Sequence, residues 1–144
     1  MEPQIEKLFL SLMLHYPPYI RAFEEMFPNY SFSGDKEREI FTVFSRAVRE
    51  YDDMQLTTSK LLNRIAREDL KNFASELLMM EWGNGEDRER FFQELIHSLK
   101  NQEREGYLKA LRNQISQAEE AGNQDLVLKY MKVYQEALTH KAVN

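Results

Sequence analysis

His15, His97 and His140 are the side chains best suited to proton transfer or metal ligation near neutral pH. They stand far apart in the chain, and none has a histidine or glutamate arranged as in H-E-x-x-H. No second ligand falls at metal-binding spacing. The chain has no cysteine, which removes the thiolate nucleophile, the disulfide and the cysteine-based zinc site together, and fits a reducing compartment. No G-x-S-x-G elbow and no Walker loop occurs. The one glycine-rich stretch, Gly83-Asn84-Gly85, lacks the lysine that a phosphate cradle needs. Carboxylates are plentiful, but they interleave with arginines, as in Glu86-Asp87-Arg88-Glu89-Arg90. That is the pattern of a solvated helix face held by weak ion pairs. The residues predict no catalytic, metal-binding or cofactor-binding group in this chain, and so no enzyme activity of its own.

The rest of the composition points to a helical scaffold. The 144 residues hold only 5 Gly and 4 Pro, with 42% apolar and 30% charged side chains. Long helices tolerate so little punctuation, whereas a many-turned sandwich does not. The net charge is −5, from 19 Lys and Arg against 24 Asp and Glu. All of that excess lies in residues 1–100, and residues 101–144 are balanced. An acidic balance argues against nucleic acid as the main ligand, because such domains carry a basic face. No apolar run approaches the length of a membrane span, and no basic region precedes an apolar stretch at the N-terminus. The expectation is a cytoplasmic protein without membrane contact.

Apolar periodicity predicts all-α architecture. Ile5, Leu8, Phe9, Leu12 and Met13 form a helical stripe, and Leu10 and Leu14 widen it, as in a central helix. Pro17 stops it and Pro18 can open a short second helix bearing Ile20, Phe23, Met26 and Phe27. A third helix begins near Gly34-Asp35 with Ile40, Phe41, Phe44 and Val48. Thr57 or Thr58 caps a short fourth with Leu61, Leu62 and Ile65. A fifth runs from about Glu68 to Trp82-Gly83-Asn84-Gly85, with Trp82 as a packed cap. From Asp87 to Ala121 there is no proline and a single glycine, Gly106, which predicts one long helix with a possible hinge there. Gly122 is a stop, and Asn123 or Asp125 caps a last helix over 126–141. The predicted organisation is a bundle of about five to six helices over 1–105 and a helical hairpin over 106–144, sharing the long helix. Leu8, Leu12, Phe23, Phe41, Phe44, Leu61, Phe73, Leu77, Phe91 and Leu95 are the predicted bundle core.

The last helix carries more apolar surface than a hairpin partner can cover. At 100° per residue Val133, Leu126, Ala137, Tyr130, Tyr134, Val127, Leu138 and Met131 span roughly 160° of it, and Leu128 lies outside even that arc. The preceding helix offers a narrower stripe of Tyr107, Leu108, Leu111, Ile115 and Ala118. The surplus either folds onto the bundle or docks on another protein. Tyr107, Tyr130 and Tyr134 are of a type common at interfaces.

The opening Glu6-Lys7-Leu8-Phe9-Leu10-Ser11-Leu12-Met13-Leu14-His15-Tyr16-Pro17 resembles the start of the C-terminal domain of bacterial DnaG-type DNA primase. Further agreement follows in order: Arg38-Glu39-Ile40-Phe41, the Leu61-Leu62 helix, Phe91-Phe92-x-x-Leu95-Ile96-x-x-Leu99, Glu119-Glu120-Ala121-Gly122-Asn123 at the hairpin turn, and Tyr134-Gln135-Glu136-Ala137-Leu138. The resemblance covers about residues 4–140. It rests on the order and spacing of helical patterns rather than on any one motif.

What the resemblance implies is a non-catalytic domain that binds the N-terminal domains of the hexameric replicative (DnaB-type) helicase. Such a domain recruits primase to the replication fork for RNA primer synthesis and modulates helicase activity. The hairpin is the implied docking element. Leu126, Tyr130, Val133, Tyr134, Ala137 and Leu138 are the expected contact residues, with Lys129, Lys132 and Lys141 as steering charges on the rim. Zinc and magnesium are expected only in primase domains that lie outside this sequence. The N-terminal domain of the helicase itself has a similar start and is one alternative. A helical nucleic-acid-binding regulatory domain, against which the acidic charge counts, is another.

Overall fold

The computed structural model describes residues 3–139. Among the described residues the fold is all-helical: α1 (Pro3–His15), α2 (Pro18–Met26), α3 (Asp35–Glu50), α4 (Thr58–Asn63), α5 (Glu68–Met79), α6 (Gly85–Glu120) and α7 (Gln124–Thr139). The chain divides into two compact units, the first through Ile96 and the second from His97.

In the first unit α1 is the central element and packs on α2, α3, α4 and α5. Every residue from Phe9 to Leu14 is buried, so the wide apolar circumference of the sequence is used on all sides. An aromatic cluster surrounds it. Phe9 meets Phe23 edge-on at 5.0 Å and Phe92 at 6.0 Å, and Phe92 stacks flat on Tyr19 at 4.0 Å. Each such ring removed from water contributes about 1.5–3 kcal/mol, so this cluster outweighs the weak intrinsic propensities of the short helices. Pro17 and Pro18 set the α1–α2 corner, with Pro18 in the first turn, where its missing N–H costs nothing.

Three polar side chains are buried with this core, and two carry bonds across the bundle. Glu6 is fully buried. It accepts from the Tyr30 hydroxyl at 2.7 Å, the Ser33 amide at 2.7 Å, the Ser33 hydroxyl at 2.8 Å and the Gly34 amide at 3.4 Å. A buried carboxylate is tolerable when its lone pairs are filled in this way, and the result pins the 30–34 loop ahead of α3. Ser11 is also fully buried. Its hydroxyl donates to the Leu77 carbonyl at 2.7 Å and accepts from the Trp82 indole N–H at 2.9 Å. Thr57 is the α4 cap, accepting from the Lys60 amide at 3.2 Å, while Thr58 donates to the Leu14 carbonyl at 2.6 Å and closes the end of α1.

The structure departs from the sequence expectation at four places. Helix α5 ends at Met79, not at Trp82, because Met80 is already extended. Gly83, at φ +73°, instead turns the chain into α6, where Asn84 and Asp87 cap each other reciprocally. Phe91, expected in the core, is 38% exposed, and its neighbour Phe92 is the buried ring. Leu8, Phe41 and Leu95 are half-buried. The compact units part between Ile96 and His97, inside α6, whereas the periodicity pointed to a boundary after residue 105.

The second unit contains the end of α6 and all of α7. Helix α6 runs without interruption through Gly106, whose missing Cβ leaves open space. Gly122 stops it in the left-handed conformation at φ +71°. The Asn123 amide reaches back to the Ala118 carbonyl at 3.0 Å and the Gly122 amide to Glu119 at 3.1 Å, the paired bonds of a Schellman end. Asn123 then caps α7, accepting from the Leu126 amide at 3.2 Å.

Candidate protein-interaction surface

Helix α7 lies antiparallel to the end of α6. The Arg104 guanidinium donates to the Ala137 carbonyl at 3.5 Å and the Arg112 guanidinium to the Tyr134 hydroxyl at 3.2 Å. Leu108, Leu111, Ala118 and Val127 are buried. Val127 is the sole buried residue of α7, so the helix spends little of its apolar surface on packing.

The expected contact residues fall into two groups. Leu126 and Leu138 are 36% and 39% exposed. Tyr130, Val133, Tyr134 and Ala137 are half-buried, and the Tyr134 hydroxyl is engaged by Arg112. These four line the seam of the hairpin and present only their outer edges. Lys129 and Lys132 are exposed and make no ion pair among the described residues. Lys141 lies outside the described residues.

The larger exposed surface belongs to residues that the arc calculation placed at its margin. Leu128 is 66% exposed and Met131 46%. With Leu138 they follow α7 within about 80° of its circumference at 100° per residue. On α6, Tyr107 is 51% exposed. The signal for Leu128 was its position outside even the apolar arc of roughly 160° on α7. A row of large aliphatic side chains beside a half-buried seam is a surface that loses water when a partner covers it. At about 25 cal/mol per Å² it supplies affinity without any charged group.

His15 belongs to the first unit and His97 to the second, and His140 lies outside the described residues. Among the described residues no group of three or more His, Asp or Glu side chains is placed to hold a metal ion. No helix among them is long and apolar enough to cross a membrane. Arg67 makes the densest charged cluster, forked on Asp69 at 3.0 and 2.6 Å and reaching Glu39 at 2.7 Å. Its guanidinium is pushed up, and the Asp69 carboxyl held down, chiefly by that mutual hydrogen bonding. Exposed pairs of this kind contribute little each, and they join the residue ahead of α5 to Glu39 of α3. A comparison of the chain with protein-family models, with curated proteins and with solved structures found no match to any.

Proposed function

We propose that this chain is a non-catalytic interaction domain that docks through the exposed flank of α7 on the N-terminal domain of a replicative DnaB-type helicase. In this reading it recruits a DnaG-type primase to the replication fork and modulates the helicase. The observation that carries the reading is the apolar row Leu128, Met131 and Leu138, left exposed on a helix that buries one residue. The order of helical motifs resembling the primase C-terminal domain supports the choice of partner.

The docking mode is helix-in-groove, with apolar anchors spaced along one helical face. The Schellman turn and the Asn123 cap hold α7 in register before any partner arrives, which lowers the ordering cost of binding. Lys132 sits beside the row, about 40° from Leu128 at 100° per residue, Lys129 stands further round the helix, and the two steer association. The test is retention of the hexameric replicative helicase of the same organism on the immobilised chain. Retention at micromolar concentration is expected, together with no mobility shift of single-stranded DNA. Absence of retention at that concentration overturns the partner, and a DNA shift favours the nucleic-acid alternative.

A further inference from the structure

A second apolar surface lies on the first unit, far along the chain from α7. Trp82 is the only tryptophan of the protein. Its indole N–H is fixed by the fully buried Ser11 hydroxyl at 2.9 Å, and that hydroxyl is fixed in turn by the Leu77 carbonyl. The ring is nevertheless only half-buried, and Phe91 meets it edge-on at 5.4 Å with 38% of its own surface exposed. Met79 closes α5 three residues earlier and is 80% exposed. A locked tryptophan with an exposed phenylalanine edge-on against it, three residues after an exposed methionine, has the make-up of an interface anchor: large, rigid in the centre and adaptable at the edge.

The charges around it select the partner. Glu76 stands one turn before Met79, Glu81 adjoins Trp82, and Glu94 stands one turn after Phe91. All three are exposed, and none makes an ion pair among the described residues. Arg90 lies over the Phe91 ring at 5.6 Å and is paired with Asp87 at 3.0 Å, and the Lys7 ammonium lies over the buried Phe73 ring at 6.0 Å.

We infer that the Met79–Trp82–Phe91 surface is a second docking site, and that its occupant is a basic amphipathic helix of another protein. The apolar face of that helix covers the two rings and Met79, and its lysines and arginines meet the three glutamates. The acidic rim disfavours a second copy of this acidic chain and an anionic lipid surface. The site belongs to the first unit and the α7 row to the second.

Trp82 supplies the readout. The probes are an amphipathic helical peptide built of leucine and lysine and its leucine–glutamate counterpart. The lysine peptide is expected to shift Trp82 emission to the blue and the glutamate peptide to leave it unmoved. Met79→Ser, Phe91→Ser and the pair Glu81→Lys with Glu94→Lys, each checked for unchanged helicity, are expected to weaken the lysine peptide by about tenfold. Leu138→Ser is expected to leave it unchanged. Equal response to both peptides, no response to the lysine peptide, or weakening by Leu138→Ser but not by Phe91→Ser overturns the site. A concentration-dependent shift without peptide would assign it to a second copy, and a shift with phosphatidylglycerol vesicles would assign it to lipid. Either result overturns the peptide partner.

Discussion

Helices α1 and α7 are both rich in large apolar residues, yet α1 buries an unbroken run from Phe9 to Leu14 whereas α7 buries Val127 alone. Within its unit α1 packs on α2, α3, α4 and α5 and reaches Phe92 of α6, whereas within the second unit α7 lies along the end of α6, whose buried stripe of Leu108, Leu111 and Ala118 is narrow. On the proposed reading the contrast separates stability from recognition. The first unit holds itself by tertiary packing and buried polar bonds, and the hairpin holds itself by its turn, its caps and a thin seam. On that reading the apolar side chains that α7 leaves exposed, Leu128, Met131 and Leu138, are the ones a partner covers.

The largest expected effects probe that separation. Phe23→Ala removes a fully buried ring at the centre of the aromatic cluster and should cost about 3–5 kcal/mol of first-unit stability. Denaturant unfolding followed by Trp82 emission measures it. Val127→Ala should cost only about 1–2 kcal/mol and should lower helicity without moving the Trp82 transition. A shift of that transition by Val127→Ala would break the comparison.

Ser11→Ala leaves the Trp82 indole N–H and the Leu77 carbonyl without their buried partner, an expected loss of about 1–3 kcal/mol, visible in the same emission curve. The two glycines of the second unit should respond with opposite signs. Gly122→Ala forces a side chain into the left-handed region at φ +71° and should cost about 1–2 kcal/mol. Gly106→Ala enters open space inside a continuous helix and should gain about 0.5–1 kcal/mol. Amide exchange across 104–137 reports both changes. A loss at Gly106 would mean that the helix needs its flexibility there.

The smallest effect concerns Tyr19, whose hydroxyl donates to Glu89 at 2.8 Å. Burial, then that hydrogen bond, pushes its ionisation above the ordinary tyrosine range. Below that range the hydroxyl is protonated in both the folded and the unfolded chain, and no pH dependence arises. As pH rises through it the unfolded chain ionises first, so first-unit stability falls. Tyr19→Phe keeps the stack on Phe92, should cost about 1 kcal/mol at neutral pH, and should flatten that alkaline decline in a thermal melt series.

The helices were legible in the sequence because their stop and start signals are local. Pro17-Pro18, Thr57 and the Gly122-Asn123 pair act within a few residues of themselves. The bonds that tie the first unit together were not legible. Glu6 reaches Tyr30 and Ser33, and Ser11 meets Trp82 across most of the unit's length, and no periodicity encodes such pairs. Phe91 and Phe92 show a related difficulty. Adjacent helical residues differ by 100°, and the position of Tyr19 decides which ring is stacked inside. Gly106, the weak point on propensity alone, sits between strong helix formers, and α6 is helical through it. The α7 surface was legible as an excess of apolar area. Leu128 and Met131 already stood outside and at the edge of the apolar arc, but that they rather than Tyr130 and Val133 stand clear of the seam depended on the path of the sister helix.

The central claim is that the exposed flank of α7 is the docking surface. Its most direct test is a calorimetric titration of the helicase N-terminal domain with the wild-type chain and with a variant combining Leu128→Ser, Met131→Ser and Leu138→Ser. The account predicts micromolar or tighter binding by the wild type, and loss of binding by the variant with an unchanged thermal melt. A variant that folds and binds as tightly as the wild type would contradict it.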